Sequence, residues 1–154
     1  MANNLKDNID APVKFEVLLN ATVERVWNAI TDKTEMKQWY FDLEEFIPAI
    51  GFTFSFYGGN DHTKYLHLCT VTEAIPNEKL AYSWRYDGYE GKSIVSWVLT
   101  EEDGQTRLML MHDGLESFPA DKPDFAKHNF EEGWKYIIGS SLPKYLEDKG
   151  SETH

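Results

Sequence analysis

Two histidines carry most of the chemistry this sequence could do. In TRLMLMHDGL, Leu108, Leu110 and His112 recur at intervals of two, so a strand turns all three to one face. In KYLHLCTV, His67 shares a face with Tyr65, Cys69 and Val71. An inward imidazole titrates near neutrality, and it can orient a ligand or move a proton. The plainer role for each is a hydrogen-bonded structural ring. Nucleophilic chemistry has less support: Ser140, Ser141 and Cys69 stand in no nucleophile-elbow sequence. Cys69, in an apolar strand, reads as a small buried hydrophobe. His62, His67, His112 and His128 show no metal-ligand spacing and there is no C-x-x-C pair, so neither metal nor cofactor is expected. YGGND lacks the Lys-Ser/Thr of a phosphate loop, and Gly58 and Gly59 read as a hairpin turn.

The aromatic load suggests a second kind of chemistry, recognition by stacking. The chain has five Trp, eight Tyr and nine Phe in 154 residues. Several fall on faces that alternation turns inward: Phe54, Phe56, Tyr82, Trp84 and Trp97 on strands, Trp134 and Tyr145 on a helix. Rings with a few polar groups among them form the usual small-molecule pocket, and the same rings can also fill a solid core. Partial filling is the reading adopted, with rings packing near the sheet's ends and lining a cavity at its middle. The predicted ligand contacts are Phe54, Phe56, Tyr82, Trp84, Trp97, Leu110, His112, Trp134, Ile138, Ser141 and Tyr145.

The elements that must position these residues follow from periodicity. Val13, Phe15, Val17 and Leu19 alternate as a strand. Val23, Val26, Trp27 and Ile30 mark an amphipathic helix, and Asp32 with Glu35 has capping-box spacing for a second short helix that turns Met36, Trp39 and Tyr40 inward. From about residue 43 to 115 the pattern is all strand. A helical stripe of Phe130, Trp134, Ile137, Ile138, Ser141, Leu142 and Tyr145 closes the chain. Gly139 and Pro143 stand four apart within it, and a proline there either bends the helix around a sheet or breaks it in two. On the helical wheel Pro143 falls opposite Trp134, on the solvent side. Strands segregated from helices predict an α+β domain with an antiparallel sheet covered by the terminal helix. The domain is expected over 13–149, between a loose tail at 1–12 and a second at 150–154.

The same residues carry a family resemblance. ATVERVWNAITDKTEMKQWYF, with Ala21, Val26-Trp27 and Trp39-Tyr40, resembles the opening of the SRPBCC (START-like, helix-grip) superfamily, and within it the group of homologues of the activator of heat-shock-protein-90 ATPase. VTEAIPNEKLAYSWRYD resembles that group's strand, proline turn and strand. Thr106-Arg107-Leu108 with His112 and Gly114 resembles its Thr-Arg-Leu…His-x-Gly strand, and Gly133-Trp134 the start of the packed face of its final helix. Cys69 departs from a glycine common at its position. The resemblance implies a curved antiparallel sheet of about seven strands gripping the long helix, with a cavity between them that in relatives holds lipids, sterols or polyketides.

Composition limits the partners. The formal net charge of −11 argues against nucleic acid and against anionic membrane surfaces. One cysteine permits no internal disulfide, MANNLKDNIDAP has no apolar signal-peptide core, and no apolar run is long enough to span a bilayer, so a cytoplasmic location is expected. The favoured function is binding of a small hydrophobic or aromatic molecule between sheet and helix. A cyclase or hydrolase in the same pocket is one alternative. A chaperone-activating or stress-response interaction module, working through the acidic surface, is the other.

Overall fold

The computed structural model of the protein describes residues 11–59 and 64–152. The tail expected over 1–12 lies, but for its last two residues, outside them, as do the final two residues of the tail expected over 150–154. One antiparallel sheet has the order β1-β6-β5-β4-β3-β2, built from β1 (Val13–Leu19), β2 (Thr53–Gly59), β3 (Lys64–Ile75), β4 (Lys79–Tyr86), β5 (Ser93–Glu102) and β6 (Gln105–Asp113). Two short helices, α1 (Val23–Thr31) and α2 (Lys33–Trp39), carry the chain from one sheet edge to the other. A helical run over 127–152 follows, made of α3 (Lys127–Tyr136), a π turn (Ile137–Ser141) and α4 (Leu142–Glu152). The architecture is the α+β helix grip.

Alternation sets the inner face as read. Ser93, Val95, Trp97 and Leu99 of β5 and Thr106, Leu108, Leu110 and His112 of β6 are all buried. Asp103 and Gly104 both take positive φ, 53° and 84°, the two-residue turn whose twist suits a hairpin between β5 and β6. Among the described residues the sheet has six strands rather than about seven. The stretch 43–52, read as strand, is irregular chain in which Ala49 N–H donates to Ile47 O and Phe52 N–H to Ala49 O. Pro48 has no N–H for a ladder, and Gly51 sits at φ 92°. Gly58 and Gly59, read as a turn, are instead the last residues of β2; residues 60–63 are outside those described.

The terminal helix neither breaks nor simply bends. The N–H of Leu142 donates to Ile137 O, five residues back, and the wider turn carries the chain past Pro143. Phe130, Trp134, Ile138, Leu142 and Leu146 are all buried, at intervals of four. In a pure α-helix that row drifts about 40° per step. One wider turn rotates it back, which keeps five residues facing the sheet. Pro143 is half-buried beside this row, not on the solvent side. At α2, Asp32 is the N-cap but makes no side-chain cap bond. Glu35 accepts from Arg25 at 2.7 Å and from the Tyr145 hydroxyl at 2.8 Å, tying α2 to α1 and α4 instead of completing a capping box.

Candidate functional site

The centre of the sheet is filled. Trp97 Nε1 donates to Tyr82 Oη at 3.0 Å, and Tyr82 Oη is 2.7 Å from Tyr40 Oη. Trp39 and Tyr40, delivered by α2, pack edge-on against Trp97 with centroids 5.8 Å away in each case. Four large rings thus occupy the place where a central cavity was expected. Phe54 packs edge-on to Tyr82 at 5.1 Å, and Leu110 and Ile138 are fully enclosed.

His112 lies in the same solid region. Trp134 Nε1–H donates to His112 Nδ1 at 2.9 Å, so Nδ1 is bare and Nε2 carries the proton. Nε2 donates to Ser93 Oγ at 2.7 Å, and Ser93 donates to Trp84 O at 3.0 Å. Both ring nitrogens are used inside the protein, and burial pulls the imidazole down to about 3. Ser141 donates to Trp39 O, and Tyr145 sits over Arg25 and Glu35. Ser141 fastens the helical run to α2, and Tyr145 fastens it to both α1 and α2.

A cavity of about 320 Å³ lies off-centre, between α3 and the ends of β2, β3 and β4. Of the predicted contacts it brings together Trp84 and Trp134, whose ring centroids are 5.8 Å apart. Phe56 borders that end of the sheet through its stack on His67, at 4.4 Å. The other lining residues were not foreseen as contacts. Tyr65, His67 and Tyr86 come from the sheet, Phe41 from the chain after α2, and Asp124 and Phe125 from a 3-10 turn (Pro123–Phe125). Asn129, Phe130, Gly133 and Ile137 come from the helical run. The signal for His67, Tyr65 and Tyr86 was available, since all three alternate inward on their strands.

Two glycines belong to the cavity wall. Gly58 on β2 meets His67 and Phe41 so closely that a Cβ would stand 3.1 Å from His67 Cε1 and 3.3 Å from a Phe41 ring carbon. Gly133, on α3, has nothing within 4 Å of where a Cβ would be. A glycine inside a helix costs roughly 0.5–1 kcal/mol relative to alanine. Gly133→Ala is therefore expected to raise stability by about that amount in urea unfolding while narrowing the cavity. A loss of stability would mean that the gap is not there.

The polar groups of the cavity are few. His67 Nδ1 is 3.0 Å from Tyr65 O, and burial draws the ring down to about 4, partly offset by the carbonyls of Tyr65 and Phe56. His67 is therefore uncharged at neutral pH. Tyr65 Oη donates to the Asp124 carboxylate at 2.5 Å, which, with lesser help from burial, pushes the phenol up to about 12. Tyr86 Oη accepts from Trp84 Nε1 at 3.0 Å, and burial holds its phenol well above the ordinary range. The loop before α3 is anchored: Ser117 Oγ accepts from Lys92 N–H at 2.8 Å, and a Cβ on Gly91 would collide with Phe118 at 2.5 Å. Among the described residues, no cluster of His, Cys, Asp and Glu could hold a metal ion, and no helix is long and apolar enough to cross a membrane.

Comparison with known proteins agrees with this architecture. DynU16, a protein of the dynemicin biosynthetic locus, superposes with a TM-score of 0.73 at 25% identity over 90% of this chain; the chain spans 48% of DynU16's length. MLL2253 from Mesorhizobium loti gives 0.73 at 23% identity, covering 89% of this chain and 97% of that one. CalU16 from Micromonospora echinospora gives 0.69 at 20% identity, covering 92% and 79%. No curated protein matches the chain. The family model described as "Activator of Hsp90 ATPase homolog 1-like protein" matches residues 20–147, and the chain belongs to that family, within the START-like helix-grip superfamily.

Proposed function

We propose that the protein binds a small aromatic or apolar molecule in the cavity between α3 and the β2–β4 end of the sheet. One observation carries this reading: a cavity of about 320 Å³ is walled by the rings of Trp84, Trp134, Phe41 and Phe130 and by two positions, Gly58 and Gly133, that carry no side chain. The volume lies at the small end of the range for ligand pockets, and a ring-lined wall with a few polar groups is their common chemistry. Membership of the helix-grip family and likeness to a protein of the dynemicin biosynthetic locus are consistent with it. Binding is favoured over catalysis because the hydrogen bonds of His112 are internal and, among the described residues, no carboxylate is bonded to His67.

The test is native mass spectrometry of protein from its own host, beside a Gly133→Trp variant whose indole would close the mouth. A surplus of a few hundred daltons is expected on the wild type, lost on denaturation and absent from the variant. Screening a set of aromatic fragments by ligand-observed NMR should give the same contrast. Bare wild-type protein that also binds no fragment would end the proposal.

A further inference from the structure

We propose that the ligand is an uncharged hydroxyaromatic compound, a planar ring whose hydroxyl donates to His67 Nε2 and accepts from Tyr86 Oη. This rests on reading the cavity as a binding site. The partner of His67 Nδ1 is a carbonyl oxygen, which can only accept, so Nδ1 carries the proton and Nε2 offers a lone pair. Nε2 faces Gly58, where a Cβ would stand 3.6 Å away, and among the described residues no donor bonds to it. Tyr86 Oη already accepts from Trp84, and among the described residues none accepts its proton. One acceptor and one donor are thus left at the cavity by neighbouring rings. His67 and Tyr86 are opposite each other across β3 and β4, with centroids 4.7 Å apart. A hydroxyl is the small group that can both donate and accept there.

The surroundings select against charge. Among the described residues no Lys or Arg lines the cavity, and the one charged lining side chain is Asp124. A carboxylate ligand would lose its hydration, gain no cation and face a like charge. Burial also keeps His67 from becoming that cation. Trp84 and Trp134, tilted 57° to each other, give the wall aromatic surface on which a ring system can pack.

Four matched probes test this by calorimetry at pH 7.5: 2-naphthol, naphthalene, 2-methoxynaphthalene and 2-naphthoate. 2-Naphthol is expected to bind about tenfold more tightly than the other three, as one good hydrogen bond in a buried site predicts. The methoxy compound can accept but not donate, so its deficit isolates the bond to Nε2 without any mutation. In His67→Phe, 2-naphthol should fall to the level of 2-methoxynaphthalene, which keeps only the bond from Tyr86, while naphthalene changes less than about twofold. Equal binding of 2-naphthol and naphthalene, or tightest binding of 2-naphthoate, overturns the inference and leaves the binding site standing. Failure of all four to bind overturns it too, and with a bare native mass it overturns the binding site as well.

Discussion

Taking the protein from pH 7.5 to pH 5 is expected to remove about 4 kcal/mol of folding stability through His67 and His112 alone. Burial is the first cause for both, drawing one to about 4 and the other to about 3 from an ordinary 6.5. A depressed folded-state value means that the unfolded chain binds protons that the folded chain refuses, so stability falls as pH falls through the window from 6.5 down to the folded values. At pH 5 the unfolded histidines are about 1.5 units below their midpoint, worth about 2 kcal/mol each. Discharge of the carboxylates behind the net charge of −11 relaxes repulsion and opposes part of this loss. Urea unfolding at the two pH values measures the sum, and His67→Gln should remove close to half of it. The imidazole NMR signals give the independent check: both should stay flat between pH 7.5 and 5. A midpoint near 6.5 for either would show that its ring reaches solvent, contrary to the bonds drawn for it.

The same burial explains what could be read from the sequence and what could not. The inner faces of β5 and β6 were legible because a half-buried sheet imposes a period of two, and Leu108, Leu110 and His112 obey it. The strand pattern read from about residue 43 failed over 43–52 because Leu43 and Phe46 are buried from irregular chain, which has no period to match. Predicting where the cavity lies required knowledge of contacts between distant segments. Whether Tyr82 and Trp97 line a space or fill it depends on Trp39 and Tyr40 arriving from α2, far away in sequence. Gly58 and Gly133 read separately as a turn and a helix position; only the fold brings both to the wall of one cavity. Tyr65 and Asp124, the polar pair at the rim, are 59 residues apart. The π turn is a compromise between Pro143 and a row of five buried residues, a conflict visible as Gly139 and Pro143 but not resolvable without the sheet.

Trp134 joins the solid half of the core to the open half, and removing its N–H should reveal that link. Its ring walls the cavity while its Nε1–H holds His112 Nδ1 at 2.9 Å. Trp134→Phe keeps an aromatic wall but strands a fully buried ring nitrogen, a penalty of about 1–3 kcal/mol on top of the volume lost. His112→Leu alone strands the indole N–H in the same way; Ser93 keeps its bond to Trp84 O. In the double variant neither partner is left over. The two single losses should therefore exceed the double loss by at least about 1 kcal/mol in a urea cycle, because deleting both ends of a buried hydrogen bond costs much less than orphaning either. Additivity within about 0.5 kcal/mol would show that the bond contributes nothing beyond packing. The link reaches the cavity as well. With Nε1 unanchored in His112→Leu, the Trp134 ring can turn against Trp84, and affinity for a flat probe should fall although His112 lines no part of the cavity. On that reading the first histidine picked out from the sequence acts on a ligand from one side chain away, as a positioning residue, while the imidazole that faces the ligand is His67.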